Sequence, residues 1–232
     1  MQEKRILVWD LPVRIFHWLL FVLVIAAVAT ALQGGSLMAV HGSIGRLIIG
    51  LLAFRVAWGV VGPTYARFRS FVRGPGAILA YLRGDWHGVG HNPLGAISIL
   101  VLMTLLFMQA MLGLFATDDI AFRGPLNVLV SHETAEFITG LHRANGFLII
   151  ILVTLHVLAI LYYALVRKDN LVRPMITGWK TVSDPDAEST RGLKLPFAFV
   201  LAVIFAGVVA WMAGGGPMTV LAPPPPPVIA PW

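Results

Sequence analysis

Five long apolar stretches constrain the fold of this chain more than any other feature of its sequence. Each is long enough, or nearly long enough, to cross a hydrocarbon core of about 30 Å as an α-helix. They cover residues 15–32, 41–61, 94–116, 142–166 and 195–213. Only 12% of the 232 residues are charged, whereas about 25% are charged in a typical soluble domain. The sequence therefore predicts an all-α integral membrane protein with five transmembrane helices.

Residues that start and stop helices mark the ends of these stretches. Asn92-Pro93 is typical of a helix start, and Gly34-Gly35 and Gly62-Pro63 are typical of helix ends. A cleaved signal peptide is an alternative for the first stretch, because Ala29-Thr30-Ala31 resembles a cleavage site. The expected organisation is a four-span domain in residues 1–180, a cytoplasmic linker at 181–194, a fifth helix at 195–213 and a proline-rich, extended periplasmic tail at 214–232.

The basic residues predict how these helices are oriented. Lys and Arg are concentrated in the cytoplasmic loops of membrane proteins. Most of the 17 Lys and Arg residues lie in the N-terminal arm, between the second and third spans, or after the fourth span. The chain is therefore predicted to be a multi-pass protein of the bacterial inner membrane, with a cytoplasmic N-terminus and a periplasmic C-terminus. Topology thus explains the net charge of +6, and nucleic-acid binding is not expected.

Histidine is the residue type on which redox chemistry in this chain would rest. There are seven His and no Cys, which excludes iron–sulfur clusters, thiolate zinc sites and covalently attached c-type haem. A histidine within a span is costly and usually functional. His142 and His156 are 14 residues apart in the fourth span, so they lie on nearly the same helix face, about 21 Å apart.

His17 and His41 match the depths of these two histidines. His17 lies early in the first span, at the cytoplasmic side, which is also the side of His156. His41 opens the second span at the outer side, where His142 begins the fourth. Two stacked haems with bis-histidine ligation require this arrangement, with one imidazole from each of two facing helices at each depth. The predicted haem-iron ligand pairs are His17 with His156 and His41 with His142.

Four arginines at the same depths are candidate partners for the haem propionates, because guanidinium groups pair well with carboxylates. They are Arg14, Arg46, Arg55 and Arg143. Arg55 follows His41 by 14 residues, which places it near the cytoplasmic haem. A backbone partner is the alternative for Arg46 and Arg55, and snorkelling to the interface is the alternative for Arg14 and Arg143.

The remaining histidines have less specific surroundings. His87 and His91 lie in the cytoplasmic loop GDWHGVGHNP, where surface or capping roles are expected and a quinone contact or a metal site is the alternative. His132 lies outside the membrane beside Glu133 and is the rival of His142 as the outer ligand.

Four motifs, in this order, resemble the bacterial cytochrome b561 and Ni,Fe-hydrogenase b-type cytochrome family. They are VWDLPVRIFHW at 8–18, HGSIGRLIIGLLAFRVAWGVVG at 41–62, GHNPLGA at 90–96, and LHRANGFLIIILVTLHVLAILYY at 141–163 followed by NLVRPMITGWK at 170–180. The resemblance covers roughly residues 6–180. It implies a four-helix transmembrane bundle that holds two b haems through His17, His41, His142 and His156, with the fifth helix beyond this core.

The resemblance also implies a function in electron transfer. Such proteins exchange electrons between the quinone pool and a periplasmic partner, such as a hydrogenase, a dehydrogenase or a c-type cytochrome. Quinone would then be a substrate or an exchangeable cofactor. A self-contained superoxide or quinol oxidoreductase is the alternative. A haem-free transporter or scaffold is a more remote alternative. The absence of acidic residues from the spans argues against a proton-coupled transporter.

Overall fold

The computed structural model describes residues 4–86, 88–120, 122–182, 188–190 and 195–216. The α-helices in these ranges are α1 (Leu11–Gln33), α2 (Met38–Val61), α3 (Phe68–Phe71), α4 (Pro75–Arg83), α5 (Pro93–Gly113), α6 (His132–Leu165), α7 (Val172–Thr177) and α8 (Leu195–Ala213). Of these, α1, α2, α5, α6 and α8 are long and apolar enough to cross a membrane. The prediction of a mostly helical chain with five membrane-spanning helices is confirmed.

Short polar side chains begin the spanning helices α1 and α5. Asp10 caps α1, where its Oδ1 accepts a hydrogen bond from the backbone N–H of Val13 at 3.4 Å. Asn92 caps α5, where its Oδ1 accepts from the N–H of Gly95 at 2.7 Å. Such caps satisfy backbone donors that have no partner within the helix. The Asn92-Pro93 signal in the sequence therefore marks the observed start of α5.

Helix α6 begins ten residues before the predicted start of the fourth span. Ser131 caps it by accepting from the N–H of Thr134 at 3.3 Å, and Glu133 lies in the first turn. The 34 residues of α6 correspond to a length of about 51 Å. This exceeds the hydrocarbon thickness of about 30 Å, so α6 extends well beyond the apolar layer. The apolar pattern alone could not reveal this polar extension.

A short antiparallel sheet, absent from the all-α expectation, joins the two ends of the four-span domain. Strand β1 (Lys4–Leu7) pairs with β2 (Trp179–Val182), with Arg5 opposite Thr181. Ile6 in β1 and Val8 just after it are almost fully buried. The sheet therefore anchors the N-terminal arm against the segment that follows α7.

Helix α2 occupies the centre of the bundle. It packs against α1, α5 and α8. The contact with α8 is close because Gly50 has no side chain: a Cβ atom built on it would lie 3.2 Å from the Cβ of Ala210. Phe199 of α8 also meets the rings of Phe54 and Trp58 edge-on, each at 5.9 Å between centroids. The fifth span is therefore packed onto the bundle along its length.

Two expected segments lie largely outside the described residues. Of the predicted linker, residues 183–187 and 191–194 are outside them, whereas the N–H of Thr190 donates to the carbonyl of Leu7 at 2.7 Å beside the sheet. Of the predicted proline-rich tail, residues 217–232 are outside them.

Candidate cofactor-binding site

A cavity of about 280 Å³ lies between α1, α2, α5 and α6. Among the described helices, α6 packs extensively against α5 only, so a gap separates it from α1 and α2. The lining of the cavity is mostly apolar, with side chains such as Val24, Ile48 and Ile150. Its polar lining residues are His41, Gln109, His142 and Arg143. A hydrophobic cleft with a few convergent polar groups is the usual form of a cofactor site.

His41 and His142 face each other across this cavity. Their ring centroids are 6.0 Å apart and the ring planes are almost perpendicular, at 86°. The Nδ1–H of His41 donates to the carbonyl of Ala27 on α1 at 2.9 Å, and the Nδ1–H of His142 donates to the carbonyl of Gln109 on α5 at 2.9 Å. A carbonyl oxygen can only accept, so each Nδ1 carries the hydrogen and each Nε2 keeps its lone pair. Both rings are thus fixed in the tautomer that a metal ligand needs.

The dimensions of this histidine pair would suit a haem held by two imidazoles. An imidazole nitrogen binds a metal ion such as zinc at about 2.0–2.1 Å, so one metal ion between two rings separates their centroids by about 6 Å. Gly45 lines the same cavity one turn after His41. A Cβ atom built on Gly45 meets nothing within 4 Å, which leaves open space for a flat macrocycle beside α2.

His17 and His156 form a second, less closely described pair. They lie on α1 and α6 and are close enough to interact electrostatically. The Nδ1 of His17 is inaccessible to solvent and has no hydrogen-bond partner among the residues that the structure describes. On α6, the 14 residues between His142 and His156 correspond to about 21 Å. Each of the four histidines thus lies near the partner expected for it, and their assignment as haem ligands stays a prediction.

Comparison with known families agrees with this geometry. The model of the prokaryotic cytochrome b561 family matches residues 8–178. The chain belongs to this family. A probable Ni/Fe-hydrogenase B-type cytochrome subunit from Rhizobium leguminosarum bv. viciae is 21% identical, in an alignment that covers 79% of this chain and 92% of the relative. No solved structure matches the chain significantly.

Membership of the cytochrome b561 family fixes the general character of the protein. It is an integral membrane protein of the cytochrome b type, a class that carries electrons through haem b. The cavity between His41 and His142 suits that cofactor, because it offers two imidazole nitrogens in an apolar environment.

The four arginines expected near the propionates have different surroundings. Arg143 lines the cavity beside His142. Arg46 donates to the hydroxyl of Ser43 at 3.0 Å, and Arg14 donates to the carbonyl of Ile176 on α7. Arg55 is only 3% exposed and donates to the carbonyl of Ala66 at 3.1 Å. Arg143 is thus the one of the four that lines the cavity described above, and the other three contact protein groups.

His91 does not have the surface position expected of it. Its ring lies between Trp9 and Phe71, with centroids 4.3 Å and 4.7 Å away. Burial, followed by the nearby charges of Arg55 and His17, lowers the pKa of His91 to about 3. The sequence offered one signal of this buried position: His91 directly precedes Asn92, the cap of α5, where the chain enters the bundle.

His132, the rival of His142, lies away from the cavity. Its side chain is 71% exposed, and its ring nitrogens are 3.8 Å from Asp119 and 3.6 Å from Glu136. The cavity lining contains His142 and not His132. His87, the other loop histidine, lies outside the described residues.

Proposed function

We propose that the protein holds two b haems, one between His41 and His142 and one between His17 and His156, and passes electrons between them. The observation that carries the proposal is the His41–His142 pair, with its almost perpendicular rings 6.0 Å apart, fixed tautomers and apolar cavity. The spacing of His142 and His156 along one helix supports a second haem at the other depth. Haem b supplies a site that accepts and releases one electron at a time.

The residues of this chain hold and tune the cofactor. The carbonyls of Ala27 and Gln109 accept hydrogen bonds from the two imidazoles, which strengthens Nε2 as an electron donor to the iron. Apolar side chains such as Ile48 and Ile149 exclude water from the cavity. Arg143, which also lines the cavity, is positioned to pair with a propionate. For the haem at the His17–His156 pair, the proposed propionate partners are Arg14 and Arg55. Arg46 is a further proposed propionate partner for the haem at the His41–His142 pair.

The proposed electron route connects the quinone pool with a periplasmic redox protein. The basic segments support an N-terminus in the cytoplasm and a position in the bacterial inner membrane. The relative's description as a hydrogenase cytochrome subunit supports a hydrogenase, or a comparable dehydrogenase or c-type cytochrome, as the partner. Quinone is the proposed exchangeable substrate.

Variants of single histidines test the two-haem proposal directly. The protein is purified in detergent, and haem is quantified by pyridine haemochrome and by the reduced α-band. We expect two haems per chain in the wild type and one in each of His142→Leu and His156→Leu, with different residual midpoint potentials. His132→Leu is the matched control, because His132 lies on the same helix but is exposed, and it should retain both. A wild-type protein without haem, or a His132→Leu variant that loses one, contradicts the proposal.

The electron route is tested separately in membrane vesicles. A reduced quinone analogue should reduce both haems in the wild type, and an added periplasmic electron acceptor should reoxidise them. Haems that remain oxidised with every quinol offered would contradict the quinone assignment while leaving the ligand assignment intact.

A further inference from the structure

A buried amide pair lies next to the His41–His142 cavity. Asn145 is only 6% exposed within the apolar helix α6. Its Nδ2 donates to the carbonyl of Leu105 at 3.0 Å and to the Oε1 of Gln109 at 2.8 Å, both on α5. Because both neighbours are acceptors, the orientation of the Asn145 amide is fixed. Polar side chains that bond across helices in this way hold membrane helices in register.

The same residue of α5 also holds the histidine. The carbonyl of Gln109 accepts from the Nδ1–H of His142, and its side chain accepts from Asn145. His142 and Asn145 are three residues apart on α6, so they lie on the same face of that helix. Gln109 is therefore bonded twice to one face of α6, once through the main chain and once through the side chain.

Gly146 allows the close approach that this arrangement needs. A Cβ atom built on it would lie 3.1 Å from the Nε2 of Gln109, which is tighter than an ordinary van der Waals contact. Gln109 and Gly146 both line the cavity. The amide pair thus lies at the wall of the cofactor site, between α5 and α6.

We propose that Gln109 and Asn145 are positioning residues that hold the carbonyl of Gln109 on His142 and thereby set the midpoint potential of the haem at the His41–His142 pair. The inference rests on the proposed function. A strong Nδ1–H···O=C bond increases electron donation from the ligand nitrogen, which stabilises the oxidised iron and lowers the potential. Weakening the α5–α6 link should lengthen that bond and raise the potential of this haem alone.

The test is a redox titration of both haems in Asn145→Leu and Gln109→Met. Gln109→Met removes the side-chain amide but keeps the backbone carbonyl. Asn145→Leu should fold, because the Oδ1 of Asn145 is already buried without a donor among the described residues, so its removal offsets part of the lost bonding. Thr154→Val is the matched control, since among the described residues the Thr154 hydroxyl bonds only to its own helix, at the carbonyl of Ile150.

We expect each variant to keep both haems and to raise one midpoint potential while the other is unchanged. The double variant should shift it no further than the larger single shift, since the two residues form one link. The shifted haem is assigned by repeating the titration in the His156→Leu background, where only the His41–His142 haem remains. Unchanged potentials in both variants, or a shift of the other haem, overturn the inference. A wild-type protein that lacks haem would instead refute the proposed function.

Discussion

The imidazole of His41 stands almost perpendicular to that of His142, with ring centroids 6.0 Å apart. Each ring is held by a carbonyl of a different neighbouring helix, Ala27 on α1 for His41 and Gln109 on α5 for His142. The pair therefore depends on four helices: two supply the rings, and two supply the acceptors that orient them. Displacing any one of the four should weaken cofactor binding at this level.

A side chain at Gly45 should block the cofactor at the His41–His142 level. The position lines the cavity and opens onto empty space in the structure, so Gly45→Leu should fold but occupy the volume that a macrocycle needs. We expect the variant to retain one haem of two, with loss at the His41–His142 pair. Haem content and the reduced α-band measure the effect.

Gly207→Leu is the control for that substitution. Gly207 lies on the exposed side of α8, and a Cβ atom built there also meets nothing within 4 Å. This control should keep both haems. Retention of both haems in Gly45→Leu as well would show that the macrocycle does not lie against α2.

Much of this site could be predicted from the sequence, because hydropathy and helical spacing determine how deep each histidine lies in the membrane. The 14-residue spacing of His142 and His156 fixes their separation in any straight helix. The surroundings of His91 could not be predicted in this way. Its ring inserts between the rings of Trp9 and Phe71, and this position depends on packing between segments that are distant in the sequence. The β1–β2 pairing could not be predicted either, because strands of four residues carry too little pattern to be recognised.

A larger residue at Gly50 should separate α8 from α2. A Cβ there would lie 3.2 Å from the Cβ of Ala210 and 3.5 Å from the carbonyl oxygen of Ala206, so a leucine cannot fit without moving the helices. Overpacking of this kind costs about 1–3 kcal/mol. We expect Gly50→Leu to lower the melting temperature in detergent, with a smaller effect of Gly50→Ala. Gly207→Leu should melt like the wild type, and equal melting of all three variants would contradict the packing of α8 on α2.

The burial of His91 in its neutral form should make the folded protein less stable in mild acid. Burial, with the nearby charges of Arg55 and His17, lowers the pKa of His91 from the ordinary value of 6.5 to about 3. Between these two values the unfolded chain binds one more proton at this position than the folded chain, so stability is lost as the pH falls below 6.5. The slope is at most about 1.4 kcal/mol per pH unit.

The measurement compares melting temperatures at pH 7.5, 6.5 and 5.5 for the wild type, His91→Gln and His132→Gln. His91→Gln should lose less stability than the wild type between pH 6.5 and 5.5, because it removes the titrating group. His132→Gln makes the same substitution at an exposed histidine and is the control. Identical pH dependence of His91→Gln and the wild type would show that His91 is not buried as described.

Trp58 should stabilise the start of α1 through the half-buried carboxylate of Asp10. Its indole Nε1–H donates to the Oδ2 of Asp10 at 2.7 Å, while the Oδ1 of Asp10 caps α1. Burial raises the pKa of Asp10, and the bond from Trp58 opposes that rise.

Trp58→Phe preserves an aromatic ring against Phe54 and Phe199 but leaves the carboxylate of Asp10 without this donor, at a cost of about 1–3 kcal/mol. The variant should therefore melt at a lower temperature at pH 7.5, whereas Trp179→Phe, at an exposed indole outside the bundle, should change it little. If the two variants melted alike, the Trp58–Asp10 bond would contribute no net stability.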